Sequence, residues 1–192
     1  MVKVAIIDDH DLIRYGLVRL LEDCGHIEII GQGNSGEQAV DIARSQAVDV
    51  MLMDVKMPGI GGLEATRKIA KSRPNIKVIA ITSCAEDPFP SKLLEAGAAG
   101  FLSKGAGTEE IITAINAVMA GGKYLSPEIA QKMALKNFGA NDHANPFDEL
   151  SEREMQITMM IITANKVQVI SDALCLSPKT VNTYRYRIFE KL

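Results

Sequence analysis

The sequence predicts a five-stranded parallel α/β sheet, doubly wound by helices, followed by a small all-α domain. Two observations carry that prediction. Short apolar runs alternate with segments of helical period as far as residue 120, and after a polar break only helical periodicity remains. The runs are VKVAII (Val2–Ile7), IEIIG (Ile27–Gly31), VMLM (Val50–Met53), VIAIT (Val78–Thr82) and GFLS (Gly100–Ser103). Their β-branched and apolar side chains are the pattern of strands covered on both faces. Between them, Ile13, Leu17, Leu20 and Leu21 mark one helix, Ala39, Val40 and Ala43 a second, and Leu63, Thr66, Ile69 and Ala70 a third. Leu93, Leu94 and Ala98 mark a fourth, and Ile111, Ile112, Ile115, Val118 and Met119 a fifth. Parallel neighbours need a crossover connection, so a helix after each strand builds a sheet clad on both sides.

The first domain spans residues 1–122 and closes at Gly121 and Gly122. Residues 123–146 then hold one more helix, capped at Ser126 with Pro127 in its first position, and a flexible linker, GANDHANP, rich in turn formers. Residues 147–192 read as helices only: SEREMQITMMIITA, a short helix at Val167–Leu174, and SPKTVNTYRYRIFEKL.

Composition excludes some classes. Of 192 residues, 47% are apolar and 23% charged, which is globular rather than disordered or fibrous. The net charge of −3 gives no global attraction to nucleic acid or anionic membranes, so any such binding needs a local patch. Cys24, Cys84 and Cys175 are odd in number and widely spaced, which fits neither a disulfide framework nor a C-x-x-C site. No apolar run approaches a membrane span or a signal peptide, and a reducing cytoplasm is the expected setting.

The chemistry concentrates at strand ends. In an open parallel sheet, ligands gather outside the C-terminal ends of the strands, where strand order reverses. Asp8 and Asp9 follow the first strand and Asp54 the third; if those strands are neighbours, three carboxylates converge. Such like charges repel unless a cation intervenes, and hard oxygen donors suit Mg²⁺. Thr82 adds a hydroxyl after the fourth strand, and Lys104 a point charge after the fifth. Together these make a phosphoryl-accepting site, with the glycines after Pro58 letting backbone approach the metal. Taken singly, each residue has a plainer role: Asp8 or Asp9 as cap of a helix starting near Asp11, Lys104 as a solvated lysine, Thr82 as a β-former.

IIDDH, LMDVKMPGIGG, AITS and GFLSKGA, in this order, resemble the landmarks of the receiver domain of bacterial two-component response regulators, a flavodoxin-like fold. The resemblance covers Val2 to about Ala120. It implies that Asp54 is the phosphoacceptor, Asp9 a metal ligand and Asp8 a metal-site carboxylate acting through water, with the main-chain carbonyl of Lys56 completing the protein ligands. It implies further that Thr82 and Phe101 form a switch pair and that Lys104 meets the phosphoryl group. A static core aromatic is the alternative for Phe101.

A second signal lies at the C-terminus. From Ser177 onward Lys179, Arg185, Arg187 and Lys191 face one acid, Glu190, a local net of +3 hidden by the average. Ser177 caps the helix and Pro178 occupies its first turn, while Cys175 and Leu176 alone separate it from Val167–Leu174, the spacing of a helix-turn-helix. Val181, Tyr184 and Ile188 face the core. Asn182, Thr183, Arg185, Tyr186 and Arg187 point elsewhere, and Lys179 and Thr180 sit at a helix N-terminus that favours phosphate. A solvated charged helix is the plainer reading.

LSEREMQI followed by LSPKTVNTYRYRIFEKL resembles the LuxR-type output domain of the NarL/FixJ response regulators, within which the whole chain is most similar to the GacA/UvrY group. That resemblance implies a DNA-binding regulator, not an enzyme: phosphorylation would switch homodimerisation and promoter binding. The implied partners are a hybrid sensor histidine kinase and double-stranded promoter DNA of small regulatory RNA genes, with no membrane. Two departures bear on this. ANKVQVISD, Ala164–Asp172, stands where many relatives have a GLSNKEIAE-like stretch, and the chain stops at Leu192 where the family continues into a fourth helix. The rival reading they raise is a phosphorylation-controlled interaction module without DNA binding. A second rival, a Mg²⁺-dependent phosphatase with Asp54 as nucleophile, needs an acid two residues on, where Lys56 stands.

Overall fold

The strands β1 (Val2–Ile7), β2 (Ile27–Gly33), β3 (Val50–Asp54), β4 (Lys77–Thr82), β5 (Gly100–Ser103) and β6 (Tyr124–Leu125) form one sheet in a computed structural model of the chain. The structure describes residues 1–82, 89–138, 146–174 and 176–192; Cys84, Cys175 and all of the linker segment but Pro146 lie outside the described residues. Strand order is β2-β1-β3-β4-β5-β6 with every pair parallel, so order reverses between β1 and β3. Val4 pairs with Val50 and Ile7 with Met53, which brings the ends of these two strands side by side.

The helices are α1 (Asp11–Glu22), α2 (Gly36–Ser45), α3 (Gly61–Ser72), α4 (Phe89–Glu95), α5 (Thr108–Met119), α6 (Pro127–Phe138), α7 (Glu152–Ile162), α8 (Val167–Leu174) and α9 (Pro178–Lys191), with a 3₁₀ turn at Pro146–Glu149. Alternate strand residues serve alternate faces. Val4, Ile6, Val50, Leu52, Ile79, Ile81 and Leu102 pack with α1 and α5; Ala5, Ile7, Met51, Met53 and Val78 pack with α2 and α3. Both faces of the central strands are covered, so β3 is buried along its whole length and β1 over its last four residues.

The structure differs locally from the sequence expectation. The sheet has a sixth strand, held where Tyr124 N–H donates to Ala99 O and Ser126 N–H to Phe101 O, both at 3.1 Å; two residues carry no periodicity from which to read it. At the open edge, β2 exposes Glu28 and Gln32 instead of being covered throughout. Ser126 precedes α6 as expected, but its buried hydroxyl makes no hydrogen bond. Among the helical assignments, Ala98 falls outside α4, beyond the left-handed turn at Gly97 (φ +103°), and Leu20 and Met119 are exposed.

Helices α7, α8 and α9 pack on one another through Met155, Ile157, Ile170, Leu174, Val181 and Ile188, with Tyr184 partly buried against them. The same hydrophobic cluster runs on into the sheet domain through Val55, Leu63, Leu93 and Phe101. Met159 and Met160 of α7 and Thr163 just past it line a small cleft with Val55, Met57, Ile60 and Gly61, from the connection between β3 and α3 and the first residue of α3. The helical unit thus rests on the segment that directly follows Asp54.

Candidate functional site

The reversal of strand order fixes the site. Asp8 N–H donates to Gly33 O at 3.0 Å, extending the ladder one residue beyond β1, and the chain then turns into α1. Asp8 and Asp54 are 2% and 3% exposed, while Asp9 stands further into solvent. Lys104, one residue past β5, reaches back with Nζ 2.8 Å from Asp8 Oδ2 and 2.8 Å from Asp54 Oδ2. The other oxygen of Asp54, Oδ1, accepts the Lys56 N–H at 3.2 Å. The Lys56 main chain thus meets the carboxylate as a donor.

The electrostatics are those of a pocket short of positive charge. Burial pushes the Asp54 carboxyl above its usual range, and the Asp8 charge adds to this against the hydrogen bond and charge of Lys104. Burial works to lower Lys104, but its hydrogen bonds to Asp54 and Asp8 prevail and hold the ammonium above its ordinary value. Asp8 and Asp54 share the Lys104 ammonium, while Asp9 lies against His10. Donor atoms of Asp8, Asp9, His10 and Asp54 all lie within 4.8 Å of one another, so a small divalent cation fits the set, oxygen-rich as Mg²⁺ requires.

Neither Asp8 nor Asp9 caps α1. The cap residue is His10, with no side-chain capping bond, because Asp8 Oδ1 instead accepts the His10 N–H at 2.8 Å and both carboxylates turn to the pocket. The glycines after Pro58 serve the backbone around Asp54: a Cβ on Gly62 would lie 2.0 Å from Asp54 O, and Gly59 (φ +77°) sits against the Glu37 carboxylate. Thr82 is buried, and its carbonyl accepts the Lys104 N–H at 2.9 Å, so the hydroxyl and the lysine are anchored together. Phe101 is wholly buried, beside Ala80 in the sheet and inside the cluster shared with α7 and α9 rather than in the pocket.

Three residues near the site escaped the sequence reading. His10 supplies a nitrogen to the acidic set. Arg14, buried, donates to the Asp8 carbonyl at 2.7 Å and to Asp11 at 2.5 Å, fixing the turn; its i,i+3 spacing from Asp11 was the available signal. Glu37 accepts the Ile60 N–H at 3.0 Å and pins the β3–α3 connection across 23 residues, which no local signal reveals.

In the helical unit, Ser151 and Glu154 form a reciprocal capping box at the start of α7. Ser177 accepts the Thr180 N–H at 3.0 Å and starts α9. Lys179, Asn182, Thr183, Tyr186 and Arg187 are exposed, and Thr180 and Arg185 half-buried. Arg185 Nη1 lies 3.4 Å from Asn182 Oδ1, and the Thr183 hydroxyl donates back to Lys179 O at 3.0 Å. Lys191 does not belong to this face. Its Nζ lies 2.7 Å from Glu154 Oε2 and 3.0 Å from Glu149 O, tying α9 to α7.

Residues 4–116 match the response regulator receiver domain, and residues 148–192 match the luxR family of bacterial regulatory proteins. Over all 192 residues the chain is 60% identical to the response regulator GacA of Pseudomonas aeruginosa, covering 90% of that protein. It is 52% identical to the response regulator UvrY of Escherichia coli, covering 88%. Among solved structures, RcsB of Salmonella enterica bound to promoter rprA superposes with a TM-score of 0.77 at 20% identity, covering the whole chain and 92% of RcsB, a likeness of fold.

Proposed function

The chain belongs to the two-component response regulators that join a receiver domain to a LuxR-family regulatory domain, and on that premise we propose that Asp54 is its phosphoacceptor and α9 its DNA-reading helix. The single observation that carries the proposal is the Asp54 carboxylate, buried at the reversal of strand order between Lys104 and the Asp8–Asp9 pair. In the transfer, an Asp54 oxygen attacks the phosphorus of the donor. The bond from phosphorus to the donor's histidine nitrogen breaks, and that nitrogen keeps the electron pair. Asp8, Asp9, Asp54 and the Lys56 carbonyl are the residues to hold Mg²⁺. When bound, Mg²⁺ supplies the positive charge that lets carboxylates and phosphoryl oxygens share the pocket.

The phosphoryl group adds charge and acceptor oxygens, toward which the Thr82 hydroxyl and the Lys104 ammonium move. Phe101 follows Thr82, and its cluster extends to Met155 and Ile188, so repacking behind Thr82 is felt by the helical unit. The segment Val55–Gly61 offers a second path, from Asp54 directly to α7. The output is altered homodimerisation and binding of promoter DNA: Lys179 and Arg187 meet phosphates, Asn182 and Tyr186 face base edges, and Thr180, Thr183 and Arg185 support them. Phosphate arrives from a sensor histidine kinase in the cytoplasm. No helix among the described residues is long and apolar enough to cross a membrane. The chain acts as a regulator and not a turnover phosphatase, since Lys56 stands where that chemistry needs an acid.

Incubation with Mg²⁺ and a small-molecule phosphodonor tests the first step. Label should enter the wild-type chain and be absent from Asp54→Asn; label persisting in that variant overturns the assignment.

A further inference from the structure

The acidic pocket contains a donor that the phosphoacceptor chemistry leaves unused. His10 Nδ1 lies 2.9 Å from Asp9 Oδ1 and 3.3 Å from Asp8 Oδ1, while its backbone N–H is bonded to Asp8. The ring is not there to fill the core: its side chain is 63% exposed. It is instead held at the rim by the same two carboxylates that lead into the pocket. Metal–ligand bonds of about 2.0–2.2 Å place opposite donors roughly 4.0–4.4 Å apart, and the four donors here already fall within 4.8 Å of one another.

We infer that His10 sets the metal selectivity of this pocket, adding an imidazole ligand that favours cations of the Co²⁺, Ni²⁺ and Zn²⁺ class over Mg²⁺. The inference rests on the reading of Asp8, Asp9 and Asp54 as a cation site. Carboxylates, carbonyls and water satisfy Mg²⁺, which gains little from a nitrogen donor. Imidazole suits the later first-row ions, whose affinities already rise along the series from Mn²⁺ to Cu²⁺. Removing the ring therefore acts on one class of ion and spares the other. Its consequence is competition: a trace of a later ion, held by His10 and the carboxylates, displaces Mg²⁺ from beside Asp54.

Isothermal titration calorimetry of the intact, metal-free chain with MgCl₂ and, separately, CoCl₂ tests this in wild type, His10→Ala and Asp9→Asn. His10 is exposed, so its removal leaves the core intact. The expected result is a Co²⁺ affinity weakened at least about tenfold in His10→Ala, the scale on which even partners behind a ligand act, with Mg²⁺ affinity held within about twofold and both ions weakened in Asp9→Asn. An equal loss for both ions in His10→Ala means that the ring only shapes the loop, and overturns the inference. So does an unchanged Co²⁺ affinity in either variant, which places that ion elsewhere. If wild type binds neither ion, the cation site of the proposed function fails along with it.

Discussion

The acidic pocket and the basic helix are built on opposite plans. The pocket draws Asp8 and Asp9 from the end of β1, Asp54 from β3, Thr82 from β4 and Lys104 from beyond β5, so residues 96 positions apart meet within one hydrogen bond. The face of α9 comes from seven residues within one short stretch, Lys179 to Arg187, on one helix. A pocket of the first kind exists only while the whole sheet is folded, and its groups answer to one another through burial and charge. A face of the second kind needs only the helix and its docking, so its side chains act almost independently. Substitutions should therefore have large, coupled effects in the pocket and small, additive ones on the helix.

The largest effect tests the pocket's backbone. Gly62→Ala presses a methyl group into the Asp54 carbonyl and the Val55 Cα, neither of which can turn aside, and should cost about 3 kcal/mol, the upper end for overpacking, in denaturant unfolding. A loss below about 0.5 kcal/mol, the ordinary surface scale, would mean that the loop after β3 is softer than the comparison requires.

Next comes the scaffold of the helical unit. Ala164 closes α7 in the left-handed region at φ +57°, with Asn165 N–H donating to Met160 O at 3.0 Å in the six-to-one bond of a Schellman end. Ala164→Gly should raise stability by about 1 kcal/mol, relieving the Cβ clash; a loss would show that the alanine methyl packs usefully.

Glu154 gives a pH test on the same unit. Burial pushes its carboxyl up, but the hydrogen bonds from Lys191 and from the Ser151 backbone win and hold it below the usual range. A carboxyl lowered on folding contributes stability that is full above its unfolded value, about 4.3, and is lost as pH falls through the lower folded value. Thermal unfolding of the helical unit should therefore lose midpoint steeply below that pH. Lys191→Met should flatten the decline, and an equally steep decline in the variant would remove Lys191 as its cause.

The smallest effects separate true members of the basic face from false ones. Lys179→Ala should reduce the salt slope of DNA binding by about one, the signature of one lost phosphate contact. Lys191→Ala should leave that slope unchanged, since its ammonium is spent on Glu154 and the Glu149 carbonyl. Equal changes in both would return Lys191 to the patch.

The same contrast explains what the sequence discloses. Strands buried on both faces leave unbroken apolar runs, and acids directly after such runs stand at strand ends, so Asp8, Asp9 and Asp54 are legible as strand-end residues whose convergence depends on β1 and β3 being neighbours, as they are. Strand β6 is not legible, because two residues have no period. His10 reads as one more exposed polar residue until the turn at Asp8 brings its ring against the carboxylates. Glu37 and Lys191 find partners 23 and 37 residues away, and nothing local marks those pairings. For Lys191 the omission mattered: charge counting enrolled it in a surface to which its side chain does not contribute.

The two regions meet in one expectation: charge arriving at Asp54 should change what α9 does. Its most direct test is the affinity of the chain for a promoter fragment, measured by mobility shift at fixed salt, with and without Mg²⁺ and phosphodonor, in wild type and Asp54→Asn. Phosphodonor should tighten binding by wild type and leave Asp54→Asn unchanged. Wild-type affinity that does not respond to phosphodonor, in protein shown to carry the label, would contradict it.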